Sequence, residues 1–485
     1  MKKIASIIFA ILVVLSCTNS FDNVVDFTQV ENPNLSENSV VGVANSSSIL
    51  LAGADRELSF ALNEILVLAE LGSDNYVNTQ TFFNQFLDGL EMQATDPDLR
   101  DTARDIHRLR ETAVFGLEVV GPGDPNYDAA TEAEYNFLKG MASLFSAMYF
   151  SNLPDEPFGV PLSSIEHYQN AIDAFNTALE LNALPEYHLG IARANYYLGN
   201  KEEAVLSAQA ALALSPSFTR FAQFDQANPD GPVNAFESAL YQRATFDDLQ
   251  PLPTLDFLDP KYSFLSAEQD PPVHYLKAEE AHLILAEANL ADGNAAAAQA
   301  NMSDLLDLIA QREVREIDDS IEGRIEVEPG VRPDTTDVVV NGRLGLVLNR
   351  KPGVDDEGNP VPVTVNIPSV SGTSLSLDDV GQITADDAGL ELLYRTRQEV
   401  FIAEGIRFVD MGVKLIIDEN EILLNENISE GDSGTLPVIP SFIAAVVADL
   451  DKITYDPETG ICTTAIDLNQ ILVANKTSSQ VLPFH

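Results

Sequence analysis

Cysteine and cationic side chains are scarce in this sequence of 485 residues. Its two cysteines, Cys17 and Cys462, cannot build a framework of disulfides, and no Cys-x-x-Cys pair is present for zinc binding or redox chemistry. Only 27 Lys and Arg residues stand against 75 Asp and Glu residues, which gives a net charge of −48. A surface with this charge cannot neutralise phosphates, so nucleic acid is excluded as a partner. A hydrophobic content of 45% excludes a disordered acidic chain.

Long apolar runs are also missing, apart from one short run at the N-terminus. Lys2 and Lys3 precede an uncharged stretch, 4–16, that is too short to span a bilayer and is typical of a signal peptide. The stretch ends in Val-Leu-Ser before Cys17, which resembles a bacterial lipobox. We therefore predict a lipoprotein signal peptide at 1–16, lipid attachment at Cys17 and a polar tether at 17–46. A plain signal peptide followed by an incidental cysteine is the alternative.

An internal repeat is the most informative pattern in the sequence. The segment Pro185–Pro216 aligns with Ala278–Ala310 at a fixed offset, and both contain two helical runs joined by a Gly-Asn turn. The matched pairs are Ala192 with Ala286, Gly199 with Gly293, Asn200 with Asn294, and Ala204 with Ala298. Small residues allow two helices to approach closely, and glycine permits the left-handed backbone that ends the first helix. This spacing is that of tetratricopeptide repeats.

The remaining sequence is more irregular. Residues 219–272 are rich in Pro, Asp and aromatic residues and are predicted to form a long loop within a helical region at 47–316. Residues 317–485 form a second region with short alternating runs that indicate small hairpins, and it includes a predicted scaffold helix at 392–416. The fold class predicted is mainly all-α, with a tetratricopeptide-like helical scaffold and a loop-rich second region carrying small β-hairpins.

Three further stretches, together with the lipobox, resemble one known family. They read EYNFLKGMASLFSAMYF followed by FGVPL, HYLKAEEAHLILAEANLADGN, and RTRQEVFIAEGIRFVDM. In this order they resemble motifs of the SusD/RagB family of nutrient-binding outer-membrane lipoproteins from Bacteroidetes-type bacteria. Lys277 stands where the family commonly has Arg, and the C-terminal end lacks the family's usual closing motif.

The resemblance implies a function and a location. It implies a lipid-anchored protein of the outer membrane, facing outward, that binds oligosaccharides or oligopeptides and passes them to a SusC-like TonB-dependent barrel. The membrane would be contacted through the N-terminal lipid only. The alternative is a tetratricopeptide-like lipoprotein scaffold that binds a protein partner and has no nutrient role. A hydrolase is the third hypothesis.

The third stretch also bears on whether the chain is an enzyme. Its charged residues are interpreted as a structural motif of a scaffold helix, with Glu404–Arg407 and Arg407–Asp410 as ion pairs three residues apart. Two carboxylates six residues apart on a helix diverge, whereas glycosidase carboxylates converge on one bond. The motif residues are Arg397, Glu404, Gly405, Arg407 and Asp410, and Glu279, Glu280 and Glu287 are interpreted in the same way.

No catalytic signature, metal site or cofactor site is predicted. GxSxG, P-loop and HExxH motifs are absent. His274 and His282 lack a third ligand nearby, and Asp355–Asn359 lacks EF-hand spacing and is interpreted as an acidic turn rather than a calcium site. We expect a binding protein without catalytic residues, metal or cofactor.

A ligand site would have to use aromatic residues other than tryptophan. Sugar sites use flat aromatic faces beside amides and carboxylates, and this chain has no Trp, 13 Tyr and 24 Phe. The best candidates lie in predicted loops, although burial in the core is the competing interpretation for each aromatic. The predicted ligand-binding residues are Asn75, Tyr76, Phe82, Phe221, Phe224 and Tyr262.

Overall fold

The structure is a computed structural model that describes residues 41–78, 85–225, 231–237, 239–240, 249–262, 270–318, 333, 335–348 and 353–485. The predicted signal peptide, Cys17 and most of the predicted tether lie outside these residues. Its longer helices are α1 (Ser46–Leu71), α2 (Pro97–Phe115), α3 (Ala129–Tyr149), α4 (Ser164–Leu181), α5 (Pro185–Tyr197), α6 (Lys201–Leu214), α7 (Ala278–Ala291), α8 (Ala295–Ile309), α9 (Asp387–Val400) and α10 (Leu468–Ala474).

Short helical segments connect these helices. They are Gln85–Asp88, Gly121–Gly123, Ala235–Glu237, Leu377–Val380, Ile406–Asp410, Glu419–Leu424 and Ser441–Ala444, with a π-helical turn at Gly116–Val120 and 3₁₀ turns at Asp259–Tyr262 and Val447–Asp449. In the described part of the chain, no helix combines the length and apolar character required to cross a membrane.

The strands are short and form small separate sheets. They are β1 (Tyr76–Asn78), β2 (Asn152–Pro154), β3 (Pro161–Ser163), β4 (Thr219–Ala222), β5 (Leu249–Pro251), β6 (Val273–Lys277), β7 (Val314–Asp318), β8 (Val339–Val340), β9 (Arg343–Leu344), β10 (Gly353–Val354), β11 (Pro360–Val361), β12 (Thr364–Pro368), β13 (Ile453–Asp456) and β14 (Ile461–Thr464). Two-stranded pairs are β1–β5, β2–β3, β4–β6, β7–β12 and β10–β11, and one sheet has the order β13-β14-β8-β9. The mainly helical fold class is confirmed.

The tetratricopeptide-like pairs form as the repeat predicts. Helices α5 and α6 make one hairpin and α7 and α8 the other. The two glycines take left-handed φ values of +73° at Gly199 and +75° at Gly293. The four matched alanines, Ala192, Ala204, Ala286 and Ala298, are fully buried. Methyl-sized side chains at these crossings are therefore what lets each pair of helices pack closely.

Helix α3 lies at the centre of the core. It is apolar nearly all round, and its last eight residues, from Ala142 to Tyr149, are all buried. Gly140 faces the ring of Phe175 on α4, and a Cβ atom there would lie 2.7 Å from that ring. Glycine is therefore required for α3 and α4 to pack at this distance.

The predicted scaffold helix at 392–416 is wrong as a single element. Helix α9 ends at Val400, and the chain then turns through Ala403 at φ +59° and Gly405 at φ +72° before the short helix Ile406–Asp410. A left-handed residue cannot continue a right-handed helix, so Glu404 no longer shares a helical face with Arg407, while Arg407 and Asp410 both lie in the short helix.

The motif residues are ion-paired, but with other partners than predicted. Arg397 donates to Asp410 at 2.6 Å, Arg407 donates to Asp74 at 2.5 Å, and Lys277 donates to Glu404 at 2.5 Å. These groups are buried. Because the helix breaks, the short segment 404–410 forms ion pairs with α9, with the end of β6 and with Asp74, which follows α1.

The glutamates of α7 are structural, as expected. Glu280 accepts from Arg193 on α5 at 2.6 Å, and Glu279 accepts from Arg312 at 2.6 Å. Glu287 accepts from the hydroxyl of Tyr196 at 2.6 Å, and burial raises its pKa to about 7. Their charges and hydrogen bonds thus serve to join neighbouring helices.

The C-terminal region contains hairpins and also long-range pairings. Strands β8 and β9 form a predicted local hairpin, but β12 pairs with β7 in an antiparallel register that places Ile367 opposite Arg315. Cys462 on β14 is buried and packs with Val338, Val340 and Leu346 in a second small core.

Candidate binding site

An open pocket of about 380 Å³ lies between helix α1 and the chain that follows strand β4. It is lined by Ala52, Asp55, Arg56, Leu58, Ser59, Arg220, Phe221, Ala222, Gln223, Phe224, Asp225, Gly231, Pro232 and Tyr275. Its volume falls within the range of small-molecule sites, and its lining combines apolar, aromatic and charged side chains. We call it the β4 pocket.

The pairing of β4 with β6 is irregular beside this pocket. Strand β4 pairs antiparallel with β6, and the register shifts between Arg220 and Phe221. In a regular strand, neighbouring side chains point to opposite faces. The residue left unpaired by this shift is Tyr275 on β6, and it lines the pocket together with Arg220 and Phe221.

Arg220 is a positively charged residue that lines the β4 pocket. Its guanidinium donates to Glu134 at 2.7 Å, lies 3.7 Å from Asp55, and lies 4.7 Å from the ring centroid of Phe137. These carboxylates raise the pKa of Arg220 despite the opposing effect of its burial. The side chain is therefore held rigidly by groups behind the pocket.

Phe221 provides the exposed aromatic face. Its side chain is 43% exposed, and its ring centroid lies 5.4 Å from that of His274. His274 pairs with the hydroxyl of Thr219 at 2.7 Å, and burial together with nearby lysines lowers its pKa to about 3. The imidazole is therefore neutral, and Phe221 stands as a flat apolar surface at the edge of the pocket.

Polar groups surround this face on the α1 side. Burial raises the pKa of Asp55, and the Arg220 guanidinium partly opposes that rise. The guanidinium of Arg56 lies 5.2 Å from the ring centroid of Phe60. Gln223 is exposed and adds an amide. The pocket thus offers hydrogen-bond acceptors and donors around one aromatic ring.

The predicted ligand-binding residues separate into three groups. Phe221 and Phe224 both line the β4 pocket, Phe221 as an exposed ring and Phe224 as a buried one. Phe82 lies outside the described residues. Tyr262 ends a 3₁₀ turn in the loop, and its side chain also lies outside the described part of the structure.

Asn75 and Tyr76 are placed in the core, so the binding role predicted for them is corrected to a structural one. Both are fully buried. The Asn75 amide donates to Glu70 at 2.8 Å and accepts from Gln398 at 3.0 Å. The Tyr76 ring meets Phe236 edge to face with centroids 5.3 Å apart. The pairing of β1 with β5 turns this segment inward, where a ligand cannot reach it.

The sequence reasoning missed the contribution of helix α1. Ala52, Asp55, Arg56 and Ser59 follow the spacing of one helical face and all line the pocket. A polar strip of this kind on an otherwise apolar helix was a signal that could have been used. Arg220 and Gln223 are the sequence neighbours of the predicted Phe221 and Phe224, and strand alternation alone would have placed them on the opposite face.

The acidic turn at Asp355–Asn359 forms as expected. Asp355 accepts from the backbone N–H groups of Glu357 at 3.0 Å and Asn359 at 2.7 Å. Its carboxylate therefore closes the turn itself. Within the described ranges, no group of three or more metal-ligating side chains is present.

Comparisons with known proteins give matches among solved structures only. No family model matches the chain, and no curated protein matches its sequence. A SusD-like carbohydrate binding protein from Bacteroides vulgatus ATCC 8482 is similar at 14% identity over 76% of this chain and 83% of that one, with a TM-score of 0.48. A SusD-like protein from Bacteroides fragilis NCTC 9343 is similar at 13% identity over 75% and 85%, with a TM-score of 0.48.

A laminarin binding SusD-like protein is similar at 14% identity over 54% of this chain and 83% of that one, with a TM-score of 0.42. All three of these solved structures are described as SusD-like proteins.

Proposed function

We propose that this protein is a SusD-like lipoprotein of the cell surface that binds a neutral oligosaccharide in the β4 pocket and delivers it to a TonB-dependent barrel, without acting as an enzyme. The observation that carries the proposal is the exposed ring of Phe221 in a pocket that also offers a carboxylate, a guanidinium and an amide.

The chemistry of this pocket matches that of a sugar. A pyranose ring has apolar C–H faces that pack on an aromatic ring and hydroxyl groups that need both donors and acceptors. Phe221 supplies the ring, Asp55 the acceptors, and Arg56 and Gln223 the donors. Phe224 is buried beneath this surface and supports it.

The charge of the pocket favours a neutral sugar. Arg220 is already surrounded by Glu134, Glu186 and Asp55, at 2.7, 3.5 and 3.7 Å. These three carboxylates outnumber its single positive charge, so an acidic sugar placed there would be repelled. The net charge of −48 also repels an acidic sugar from the protein.

The membrane anchor and the transporter belong to the same proposal. A lipid on Cys17 would hold the folded body beside the outer membrane, and several acyl chains make such an anchor durable because each buried CH₂ contributes about 0.8 kcal/mol. The chain's resemblance to SusD-like proteins supports an outward-facing position next to a SusC-like barrel. The presence of an open pocket favours this role over a scaffold that only binds a protein partner.

Binding to defined ligands tests the proposal. Isothermal titration of the purified protein with neutral oligosaccharides from α-glucan, β-glucan, xylan and mannan should reveal at least one ligand. Phe221→Ala should weaken its binding about 10- to 100-fold, because losing one buried aromatic contact removes about 1.5–3 kcal/mol.

A matched control separates the pocket from general effects. Phe115 is 38% exposed, is close to Phe221 in exposure and does not line the pocket, so Phe115→Ala should bind like the unmodified protein. A parallel titration with tryptic casein peptides measures whether the protein binds peptides instead. Binding of peptides alone, or equal loss in both variants, would contradict the proposal.

A further inference from the structure

A second cavity, of about 640 Å³, lies on the tetratricopeptide-like side of the molecule. Its walls come from the start of α4, the turn that ends α5, the segment Val409–Lys414 and the C-terminal stretch 477–485. It shares no lining residue with the β4 pocket and is the larger of the two. We call it the Lys414 cavity.

Lys414 brings a positive charge to this cavity. Its ammonium donates to the carbonyl oxygens of Ala147 at 2.8 Å and Met148 at 2.7 Å, at the C-terminal end of α3. An ammonium has three N–H donors, so one remains for another acceptor. Among the described residues, no carboxylate lies within ion-pair distance of Lys414.

This lack of a counter-ion sets the half-buried Lys414 apart from the buried lysines of the described residues. Lys261 and Lys277 both donate to Glu404. Burial alone lowers the pKa of Lys414, to about 7, and no neighbouring carboxylate opposes that effect. The acidic residues of the described ranges thus leave this ammonium without an ion-pair partner.

Two hydroxyl groups of the same cavity also lack partners. The Ser151 hydroxyl and the Tyr168 hydroxyl are buried and have no hydrogen-bond partner among the residues that the structure describes. Tyr168 is only 4% exposed, and its ring centroid lies 5.8 Å from the Lys414 nitrogen. Buried polar groups in native proteins are nearly always hydrogen-bonded, so orphaned hydroxyls beside a cavity indicate an absent partner.

The remaining titratable groups at this cavity are neutral or already matched. Tyr197 stacks on Tyr168 at 6.1 Å and donates to Asp410, whose carboxylate also accepts from Arg397. Burial and the nearby lysines lower the pKa of His485. The ammonium of Lys414 therefore faces a cavity whose other polar groups do not cancel its charge.

We propose that the Lys414 cavity binds a small organic acid, whose carboxylate accepts hydrogen bonds from the Lys414 ammonium and from the Ser151 and Tyr168 hydroxyls. The size of the cavity suits a ligand of one or two sugar or amino-acid units. The carboxylate belongs either to a uronic acid or to the C-terminus of a peptide, and both present the same group to the site.

Paired probes test this proposal and separate the two sources. Titrations compare galacturonate with galactose, and N-acetyl-alanyl-alanine with its C-terminal amide. We expect at least one acid to bind and its uncharged counterpart to bind at least tenfold more weakly. Preference for galacturonate identifies a sugar acid, and preference for the peptide acid identifies a peptide terminus.

The pH dependence gives a second readout. The lysine is protonated below a pH of about 7, so binding of the acid should weaken about tenfold or more between roughly pH 6 and pH 8.5. Binding that is constant over this range would contradict a charge-based contact with Lys414.

Variants locate the site. Lys414→Met should abolish binding of the acid, while Lys452→Met, at an exposed lysine, should not change it. Since Lys414 also caps α3, Tyr168→Phe provides a variant that keeps the cap, and it should weaken binding about three- to tenfold with an unchanged melting temperature. Phe221→Ala should leave acid binding intact, which separates this inference from the proposed function.

Failure of every acid to bind, equal binding of acid and amide, or tight binding by both Lys414→Met and Tyr168→Phe would overturn the proposal.

Discussion

The buried ion pair between Arg407 and Asp74 joins segments 333 residues apart in sequence. Arg407 donates through two nitrogens to the two carboxylate oxygens of Asp74, at 2.5 and 2.9 Å. Their side chains are 1% and 5% exposed. Asn469 and Gln398 complete the hydrogen bonds of the pair.

The magnitude of this interaction follows from burial. Removing one partner leaves the other charge buried without compensation, which costs about 3–5 kcal/mol in free energy of unfolding. We therefore expect Arg407→Met and Asp74→Asn each to destabilise the protein by that amount. The double variant should lose less than the sum, with a coupling energy of about 2–3 kcal/mol, because it contains neither isolated charge.

Urea unfolding followed by far-ultraviolet circular dichroism measures all four proteins of this cycle. The helical content gives a strong signal, and equal slopes of the transitions verify that the changes in midpoint report stability.

A second cycle tests the pairing that the sequence alone suggests. Glu404 and Arg407 are three residues apart, but Glu404 accepts from Lys277 and Lys261 instead. Glu404→Gln combined with Arg407→Met should therefore show a coupling energy below about 0.5 kcal/mol. A strong coupling of Arg407 to Glu404, or none to Asp74, would refute the reasoning.

Two further predictions concern a buried carboxyl group and the membrane anchor. Glu237 is fully buried, and within the described part of the chain neither of its carboxyl oxygens has a hydrogen-bond partner. Burial and nearby Asp270 raise its pKa from 4.5 to about 9, so it keeps a proton that the unfolded chain releases, and stability falls as pH rises between these two values. Glu237→Gln should thus gain about 3 kcal/mol relative to the unmodified protein between roughly pH 5 and pH 7, measured from urea midpoints, and an unchanged pH slope would count against it. Cys17→Ala should abolish labelling by radioactive palmitate and release the protein from membranes while the folded body still forms. Normal labelling of that variant would exclude Cys17 as the anchor.

The helical pairs could be predicted because their determinants are local. A Gly-Asn turn between two runs of helical periodicity, with alanines at the crossing positions, specifies a hairpin from about 30 neighbouring residues. Gly199 and Gly293 accordingly take the left-handed conformation, and Ala192 and Ala286 are buried. The central position of α3 also followed from its composition, since a helix that is apolar all round is stable only inside.

The binding residues were only partly predictable because a pocket is assembled from distant segments. Phe221 and Phe224 both line the β4 pocket, Phe221 as an exposed ring on β4 and Phe224 as a buried one, and their binding role stays a prediction. Asp55 and Arg56 come from a helix about 165 residues earlier, and no local pattern connects that helix with β4. Asn75 and Tyr76 were assigned to the surface because they follow a helix end, but pairing with β5 buries them.

By itself, the sequence determined the helical class, the repeat hairpins and the excess of acidic residues, since each depends on composition or on contacts within a few turns of chain. The tertiary structure alone decided where the long-range groups meet. Gly405 breaks the motif helix, so Arg397 turns to Asp410 and Arg407 to Asp74. The tertiary structure also decided which aromatic rings remain exposed and which cavity Lys414 lines. Charges and rings of the same type are equivalent in sequence, and only packing sets the distances and the burial that give each one its role.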